Sequence, residues 1–315
     1  MPDPPLVAFA VPVYNGAAFL AEALDALRAQ TEERWVALVT DNASTDDTAA
    51  IAARAAAEDP RIRYHRNATN LGANGNFNHS MTLALGTGAP FVKWAAADDR
   101  PHPEYLSACL GALADRPEAV GAHSAFALID GDGHLFHHDA EAGGFVVAEG
   151  DVWAWSGEEW DALGDPSPGR RLFRFLSGET GQSLVYGLFR SAQVAQTLPF
   201  DMPGVEDAWC AEMLLRGPLA SVDRVLFDQR LHAGSARHMS RRDYIEYETG
   251  VRPTGPVLPS GGRALAFARA VRRVPLGMRE RAGAWAALAR FSIGGDRVKN
   301  LVVPGPNNYF GIGAG

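Results

Sequence analysis

Hydrophobic and polar positions follow two alternating periods along the first 130 residues. Continuous apolar runs at residues 6–13 and 35–40 are typical of strands that are buried on both faces. The intervening residues 16–30 carry apolar side chains at helical spacing. The same alternation predicts further helices at residues 44–58, 74–85 and 103–114 and further strands at residues 62–65, 91–96 and 119–129. This strand–helix order predicts an α/β fold with a parallel, doubly wound sheet.

The alternation stops after residue 130. Residues 130–168 are rich in Gly, Asp and His, which predicts a long loop with a short hairpin at residues 131–133. Regular elements then resume, with helices predicted at residues 170–176 and 207–216 and strands at residues 184–189 and 220–227. Residues 261–291 have a helical pattern with a break at Pro275. We therefore expect one domain over residues 1–235, divided near residue 130, and a helical extension over residues 236–315.

Composition and charge restrict the class of partner. The net charge of −8 and the isoelectric point near 5.6 argue against broad binding to nucleic acid. Cys109 and Cys210 form no metal or disulfide motif. The N-terminal residues lack a signal-peptide pattern, and no apolar run reaches the length of a membrane span. The expected location is therefore the cytoplasm.

One segment departs from the acidic balance of the chain. Between Arg263 and Lys299 there are nine Arg or Lys residues, against two acids, Glu280 and Asp296. We favour a solvated helical pair packed on the core, because no long amphipathic stripe is evident. Peripheral contact with an anionic membrane, or with a partner, is the alternative interpretation. The sequence leaves the oligomeric state open.

Polar residues follow the first two predicted strands, at the sheet edge where ligands bind in open α/β folds. The first strand ends in PVYNG, which places Pro12 in the exit turn and offers Tyr14 as a flat ring for a nucleobase. The second strand runs into TDNASTDDT, and its Asp41 and Asn42 can accept from and donate to the edge of a pyrimidine. An ordinary turn and a helix cap, supplied by Ser44 or Thr45, are the structural alternatives.

An acidic pair follows the fourth predicted strand, in the motif KWAAADDR. Asp98 and Asp99 are costly to bury unless a positive charge meets them. A hard divalent cation that bridges a carboxylate and a diphosphate is one such partner. A salt bridge with Arg100 is the structural alternative.

These motifs, with the segment NLGANGNFN that ends at Asn78, resemble the inverting family 2 glycosyltransferases of GT-A fold. The resemblance is continuous from about Val7 to Leu128. It implies a Rossmann-like fold with a mixed, mainly parallel sheet, a donor half up to about residue 130 and an acceptor half over residues 131–235. It implies donor contacts from Pro12, Tyr14, Asp41, Asn42, Asn78 and Asp98 and a metal ligand at Asp99.

The roles that the resemblance implies are specific. Tyr14 would stack on the base of the donor, Asp41 and Asn42 would bind that base, and Asp98 would contact the ribose. Asp99 would hold Mg²⁺ or Mn²⁺ on the diphosphate. This chain departs from the family where it has Asn42 in place of a frequent aspartate. It also has Ala96 where the acidic motif often carries a further carboxylate.

Two further motifs lie in the second half of the chain. GVEDAW opens a predicted helix and resembles the family motif that supplies the catalytic base, which implies Asp207 as the base and Glu206 as its neighbour. A positioned carboxylate can take the proton of an acceptor hydroxyl as it attacks, although both acids also suit a helix N-terminus. QRLHAGSARH resembles the Arg-x-His segment of the family, which implies a metal or diphosphate contact by His232, with Arg230 nearby.

The resemblance implies an inverting transfer of sugar from a nucleotide-diphosphate donor, on UDP or TDP, to an acceptor hydroxyl. A natural product and a cell-surface glycan or polysaccharide are both suitable acceptors. The alternatives are a non-catalytic, nucleotide-sugar-binding protein of GT-A-like fold and a nucleotidyltransferase, although the sequence shows no basic, Gly-rich phosphate loop near its start. The GxG at residues 86–88 lies before a predicted strand, which is the wrong context for a dehydrogenase fingerprint.

Overall fold

The computed structural model describes residues 5–139, 144–146, 152–154, 161–177, 184–197, 199–201, 205–232, 239–254 and 261–293. Its strands are β1 (Val7–Val13), β2 (Trp35–Asp41), β3 (Ile62–Arg66), β4 (Phe91–Trp94), β5 (Arg100–Pro101), β6 (Gly121–Ile129), β7 (His137–Asp139), β8 (Gly144–Val146), β9 (Val152–Ala154), β10 (Leu188–Arg190) and β11 (Leu219–Arg230). Its helices are α1 (Leu20–Arg28), α2 (Thr48–Glu58), α3 (Gly72–Leu85), α4 (Tyr105–Asp115), α5 (Pro168–Leu176), α6 (Ser191–Val194), α7 (Val205–Arg216), α8 (Arg241–Thr249), α9 (Gly261–Arg273) and α10 (Met278–Ile293).

An eight-stranded sheet with the order β3-β2-β1-β4-β10-β6-β11-β5 forms the centre of the molecule. β1 pairs in parallel with β2 and β4, and β6 pairs in parallel with β11. β1 and β2 are buried along their whole length, as their continuous apolar sequences predict. With helices packed against this mixed, mainly parallel sheet, the structure confirms the predicted fold class.

The loop after β2 shapes the start of α1. Ser44 Oγ accepts the backbone N–H of Asn15 at 2.9 Å, and Thr48 Oγ1 accepts that of Gly16 at 2.9 Å. These bonds hold the β1–α1 loop against the loop after β2, and the helix α1 itself begins at Leu20. The expected cap of α2 by Ser44 or Thr45 is wrong, because the helix begins at Thr48 and Ser44 bonds to the β1–α1 loop instead.

The predicted strand at residues 184–189 is only partly correct. Residues Leu184–Tyr186 form a 3₁₀ turn, and the strand that follows, β10, runs antiparallel between β4 and β6. The buried ammonium of Lys93, on β4, donates to the carbonyl of Tyr186 and fixes this turn against the sheet. The hairpin predicted at residues 131–133 is confirmed, since Asp130 N–H donates to the His134 carbonyl at 2.9 Å.

The C-terminal helices pack on the main domain. α8 meets the start of α3, where Gly72 and Gly250 approach each other with φ angles of +71° and +73°. α9 packs on α7 and α10 on α5, with the predicted break at Pro275 between them. The boundary near residue 235 stays a prediction. Within the described ranges, no helix is both long and apolar enough to cross a membrane.

Candidate active site

Asp98 and His232, two residues that the sequence placed in separate motifs, meet at the carboxyl edge of the sheet. Asp98 lies between β4 and β5, and His232 follows β11. Nε2 of His232 lies 3.1 Å from Oδ2 of Asp98, and the two side chains are 22% and 32% exposed. The Phe19 ring contacts the imidazole, with 4.7 Å between ring centroids. The pair is therefore held in place and remains accessible from solvent.

Asp99 has a different environment from Asp98. Its side chain is buried, and Oδ1 accepts the backbone N–H of Arg230 at 2.8 Å. Burial, followed by the negative charge of Asp98, raises the pKa of Asp99 well above its ordinary value. The side chain of Asp98 is 32% exposed, so Asp98 is the carboxylate of this pair that is more accessible to a cation. The predicted role of Asp99 as the metal ligand stays a prediction.

Arg230 joins the segments that surround this pair. Its buried guanidinium donates to the carbonyl of Asp98 at 2.8 Å, to that of Gly131 at 2.9 Å and to Glu22 Oε2 at 2.6 Å. These bonds tie the acidic motif to the hairpin after β6 and to α1. The guanidinium is thus committed to protein partners, and the predicted donor contact of Arg230 stays a prediction.

Lys93 is a site residue that sequence reasoning missed. It is fully buried in β4, with its ammonium 4.6 Å from the ring centroid of Tyr105 and 4.8 Å from that of Phe227. Burial lowers the pKa of Lys93 to about 7, although the nearby Cys109 and Asp99 act in the opposite direction. The available signal was a lysine in the middle of an apolar strand, where a cation requires partners.

Tyr14 has the exposure that its predicted stacking on a nucleobase requires. Its side chain is 44% exposed just beyond β1, whereas Pro12 is buried within the strand opposite Thr40. Asn15 follows in a left-handed conformation with φ of 49°, which turns the chain away from the sheet. The structure thus presents the Tyr14 ring at the edge of the sheet. Its contact with a base, and that of Pro12, stay predictions.

Asp41 is fully buried and is surrounded by donors from the protein. Its Oδ1 accepts the backbone N–H of Ser44 at 2.8 Å, and its Oδ2 accepts the Tyr64 hydroxyl at 2.8 Å and the Arg66 guanidinium. Burial alone would raise the pKa of Asp41, but these hydrogen bonds and the Arg66 charge outweigh it and hold the pKa below its ordinary value. Asp41 is therefore an ionised carboxylate, and its predicted bond to a base stays a prediction.

Asn42 belongs to a buried network of side-chain amides. Its Nδ2 donates to Asn70 Oδ1 at 2.9 Å, and its Oδ1 accepts Asn67 Nδ2 at 3.1 Å. Asn67 also donates to Asn76 Oδ1 at 2.9 Å, and Asn76 donates to the carbonyl of Thr40 at 2.8 Å. The network joins the end of β2 to α3. Sequence reasoning missed it, although the signal was present in the repeated asparagines of residues 67–78.

Asn78 connects α3 to the segment before α7. Its Nδ2 donates to the carbonyl of Phe200 at 2.8 Å, and its Oδ1 accepts the Phe200 N–H at 2.8 Å. Both polar atoms of the amide thus pair with one backbone position. This arrangement positions the start of α7, and the predicted donor contact of Asn78 stays a prediction.

The acids at the start of α7 and Asp98 have electrostatic neighbours in common. Glu206 and Asp207 are in the first turn of α7 and are partly buried. The pKa of Tyr247, on α8, is raised to about 12 by loss of hydration, with contributions from the negative charges of Asp98 and Glu206. Burial and the charges of Glu206, Asp99 and Asp98 also raise the pKa of Tyr186. The negative charges of Glu206 and Asp98 thus both act on Tyr186 and Tyr247, two tyrosines that belong to no motif in the sequence.

A second acidic cluster lies in the hairpin after β6. The ligand atoms of Asp130, Asp132 and His134 lie within 4.8 Å of one another. Asp130 Oδ1 accepts the backbone N–H groups of Asp132 and His134, each at 2.9 Å. These hydrogen bonds within the turn explain why the three side chains lie close together. At the sheet edge, the candidate metal ligands are Asp98 and His232.

Comparison with known proteins gives the class. Residues 8–157 match the family model Glycosyl transferase family 2. S. aureus TarS, solved in complex with UDP-GlcNAc, is 16% identical with a TM-score of 0.55, and the match covers 94% of this chain and 83% of that one. The mannosyltransferase PcManGT from Pyrobaculum calidifontis, solved with GDP-Man and Mn²⁺, is 17% identical with a TM-score of 0.50, covering 94% of this chain and 78% of that one.

Among curated sequences, the Campylobacter jejuni GalNAc(5)-diNAcBac-PP-undecaprenol beta-1,3-glucosyltransferase is 30% identical over 133 residues, which are 42% of this chain and 41% of that one. The chain spans between 19% and 41% of the length of the curated relatives that it matches. The fold, the motifs and the family model agree. Residues 8–157, just under half of the chain, thus match the glycosyltransferase family 2 model, and the fold of the chain is similar to that of the glycosyltransferases TarS and PcManGT.

Proposed function

We propose that this protein is an inverting glycosyltransferase, which moves a sugar from a nucleotide-diphosphate donor to an acceptor hydroxyl. The observation that carries the proposal is the meeting of Asp98 with His232 at the carboxyl edge of the sheet. A carboxylate and an imidazole near a donor diphosphate, with a further carboxylate at a distance, are the groups that this reaction requires.

The donor half supports binding of a nucleotide. Tyr14 offers an exposed ring for stacking, and Arg66 places a guanidinium beside the ionised Asp41 at the end of β2. A pyrimidine edge has both donors and acceptors, which suits this pair of groups. UDP and TDP are therefore the proposed donor nucleotides. The complex of TarS with UDP-GlcNAc agrees with the first of these.

The residues at the sheet edge fit a divalent cation. Asp98 supplies a carboxylate oxygen and His232 an imidazole nitrogen 3.1 Å away, on side chains that are partly exposed. Mn²⁺ accepts both ligand types, and Mg²⁺ accepts the carboxylate with waters and phosphate oxygens. When bound, such an ion neutralises charge that develops on the departing diphosphate. Asp98 and His232 are the proposed ligands, and the buried Asp99 and Arg230 hold their segments in place.

The start of α7 is the proposed source of the base. Following the motif, Asp207 is the proposed group that takes the acceptor proton. Glu206 lies beside it in the first turn of α7. Direct attack on the face opposite the leaving diphosphate inverts the anomeric centre. The acceptor is a hydroxyl of a natural product or of a cell-surface glycan. The relative from Campylobacter jejuni, a GalNAc(5)-diNAcBac-PP-undecaprenol beta-1,3-glucosyltransferase, favours the glycan.

A non-catalytic nucleotide-sugar-binding protein and a nucleotidyltransferase are the competing functions. The acids in the first turn of α7 favour transfer over simple binding, because a binding protein needs no base there. The deciding experiment is calorimetry of UDP, TDP and GDP, each with Mn²⁺ and with EDTA, followed by metal-dependent hydrolysis of the matching nucleotide sugar. Binding that EDTA abolishes, together with hydrolysis, supports the proposal. Binding without hydrolysis favours a binding protein, and absence of binding refutes the donor site.

A further inference from the structure

The solvent side of α10 is apolar. At the spacing of an α-helix, five of the exposed positions of α10 fall on one side and define the α10 apolar face, while the exposed Arg279, Glu280 and Arg290 lie outside it. Met278 is 91% exposed and Trp285 is 38% exposed. The α10 apolar face consists of Met278, Ala282, Trp285, Ala286 and Ala289. The opposite side of the helix is also apolar, and it is buried against the protein through Ala284, Ala287 and Leu288.

A helix that is apolar on both sides is normally covered on both sides. An ordinary solvated helix would carry charged residues where Ala282 and Ala286 are exposed. The α9–α10 pair packs on the core, as the sequence favoured, and the exposed apolar face of α10 resembles a contact surface.

Arginines surround this face. Arg279 and Arg290 lie on its edge within α10, and the exposed Arg272 lies near the end of the neighbouring α9, whereas Arg273 is bonded to the carbonyl of Gln196. Glu280 is the acid of α10 in the described residues, and it accepts the backbone N–H of Gly277 at 2.9 Å, outside the face. The surface is thus apolar with a cationic rim, on a chain whose net charge is −8.

We propose that the α10 apolar face docks on an anionic phospholipid surface, with α10 lying in the plane of the membrane. Trp and Met would enter the boundary between headgroups and acyl chains, and the arginines would meet phosphate groups. A symmetric contact with a second copy would bring two cationic rims together, which is repulsive. At 16 residues, α10 is suited to lie on a bilayer and is too short to cross it. This inference does not depend on the proposed function.

The test is sedimentation of the purified full chain with vesicles of phosphatidylglycerol and phosphatidylcholine, compared with vesicles of phosphatidylcholine alone. The wild-type protein should sediment with the anionic vesicles, and salt should reduce the bound fraction. The double variant Ala282→Glu, Ala286→Glu should lower binding about tenfold or more, because two acids then face anionic headgroups. Glutamate is a good helix former, so the helix should be preserved.

The matched control is Ala50→Glu, Ala53→Glu, which makes the same change of charge at exposed positions of α2. This control should bind vesicles like the wild-type protein, and both double variants should keep the wild-type melting temperature and nucleotide binding. The proposal is overturned if the wild-type protein ignores anionic vesicles, or if the two double variants bind them equally. It is also overturned if ultracentrifugation shows a dimer that the α10 variant alone dissociates, because a second copy would then cover the face.

Discussion

Nε2 of His232 lies 3.1 Å from Oδ2 of Asp98, although 134 residues separate the two along the chain. The contact forms because β11 runs beside β6 and carries its end to the edge where the acidic motif follows β4. Arg230, two residues before His232, fixes this register by bonding to both aspartates of the motif, through its side chain and its backbone N–H. Asp98 and Asp99 are therefore expected to have different roles, and substituting each one in turn tests this expectation.

The first prediction separates Asp98 from Asp99. Asp98→Asn should weaken Mn²⁺-dependent nucleotide binding by about tenfold to a hundredfold or more, because it removes a carboxylate from the metal pair. Asp99→Asn should change the affinity much less, because a neutral amide mimics a carboxyl whose pKa is raised by burial. Calorimetry with Mn²⁺ and with EDTA measures both. Asp132→Asn, in the exposed hairpin cluster, is the control, and a large effect there would move the metal site to that cluster.

The second prediction concerns the acids of α7. Asp207→Asn should lower turnover by about two to four orders of magnitude while the affinity for the nucleotide stays unchanged, since a base acts in the transition state. Glu206→Gln should cost less than Asp207→Asn. Steady-state kinetics and calorimetry on the same preparations supply both quantities. A larger loss of turnover for Glu206→Gln would instead assign the role of base to Glu206.

The third prediction tests the close packing of α8 against α3 at Gly72 and Gly250. A Cβ at Gly72 would lie 2.5 Å from the backbone nitrogen of Gly250, and the φ of +71° adds its own penalty. Gly72→Ala should therefore lower the free energy of unfolding by about 2–4 kcal/mol. Gly88→Ala is the matched control, since Gly88 has a φ of +76° but no atom within 4 Å of the added Cβ. It should cost only about 1 kcal/mol in urea unfolding, and equal losses would exclude a role for the close approach.

The fourth prediction follows from the buried Lys93. Its pKa is about 7 in the folded protein, whereas the ordinary pKa of a lysine side chain is 10.5. Between these two pH values the unfolded chain therefore holds a proton that the folded chain has released. Stability from this group therefore rises with pH across that window, by about 1.4 kcal/mol per pH unit at most. Below pH 7 both states hold the proton, and this dependence disappears.

Lys93→Met should remove this contribution, so the free energy of unfolding should rise more steeply with pH for the wild-type protein than for the variant. Urea titrations at a series of pH values between neutrality and pH 10 compare the two slopes. Parallel slopes would show that Lys93 keeps its charge when buried.

The sequence predicts the frame of the molecule well, because long apolar runs and helical spacing determine β1, β2 and the helices around them. It misplaces β10, a strand of three residues whose direction depends on a 3₁₀ turn that the buried Lys93 holds. Short strands lack a period that a sequence can display.

For the site, the motifs lie at the carboxyl edge of the sheet, as the sequence predicts, but they do not show which polar atoms the fold itself uses. Asp41 is bonded by Arg66, and Asn78 by the backbone of Phe200, 122 residues away. Such partners are known only once the chain has folded. The sequence therefore predicts where the motifs lie in the fold more reliably than it predicts the hydrogen-bond partners of each side chain.

The amide network of Asn42, Asn67, Asn70 and Asn76 has a thermodynamic consequence for ligand binding. Its hydrogen bonds already hold the end of β2 against α3 without any ligand. A nucleotide that docks there meets a surface whose side-chain entropy was lost during folding, so no segment of this wall has to order on binding. The heat-capacity change of binding should accordingly follow the apolar area that the nucleotide buries, without the larger negative value that accompanies coupled folding.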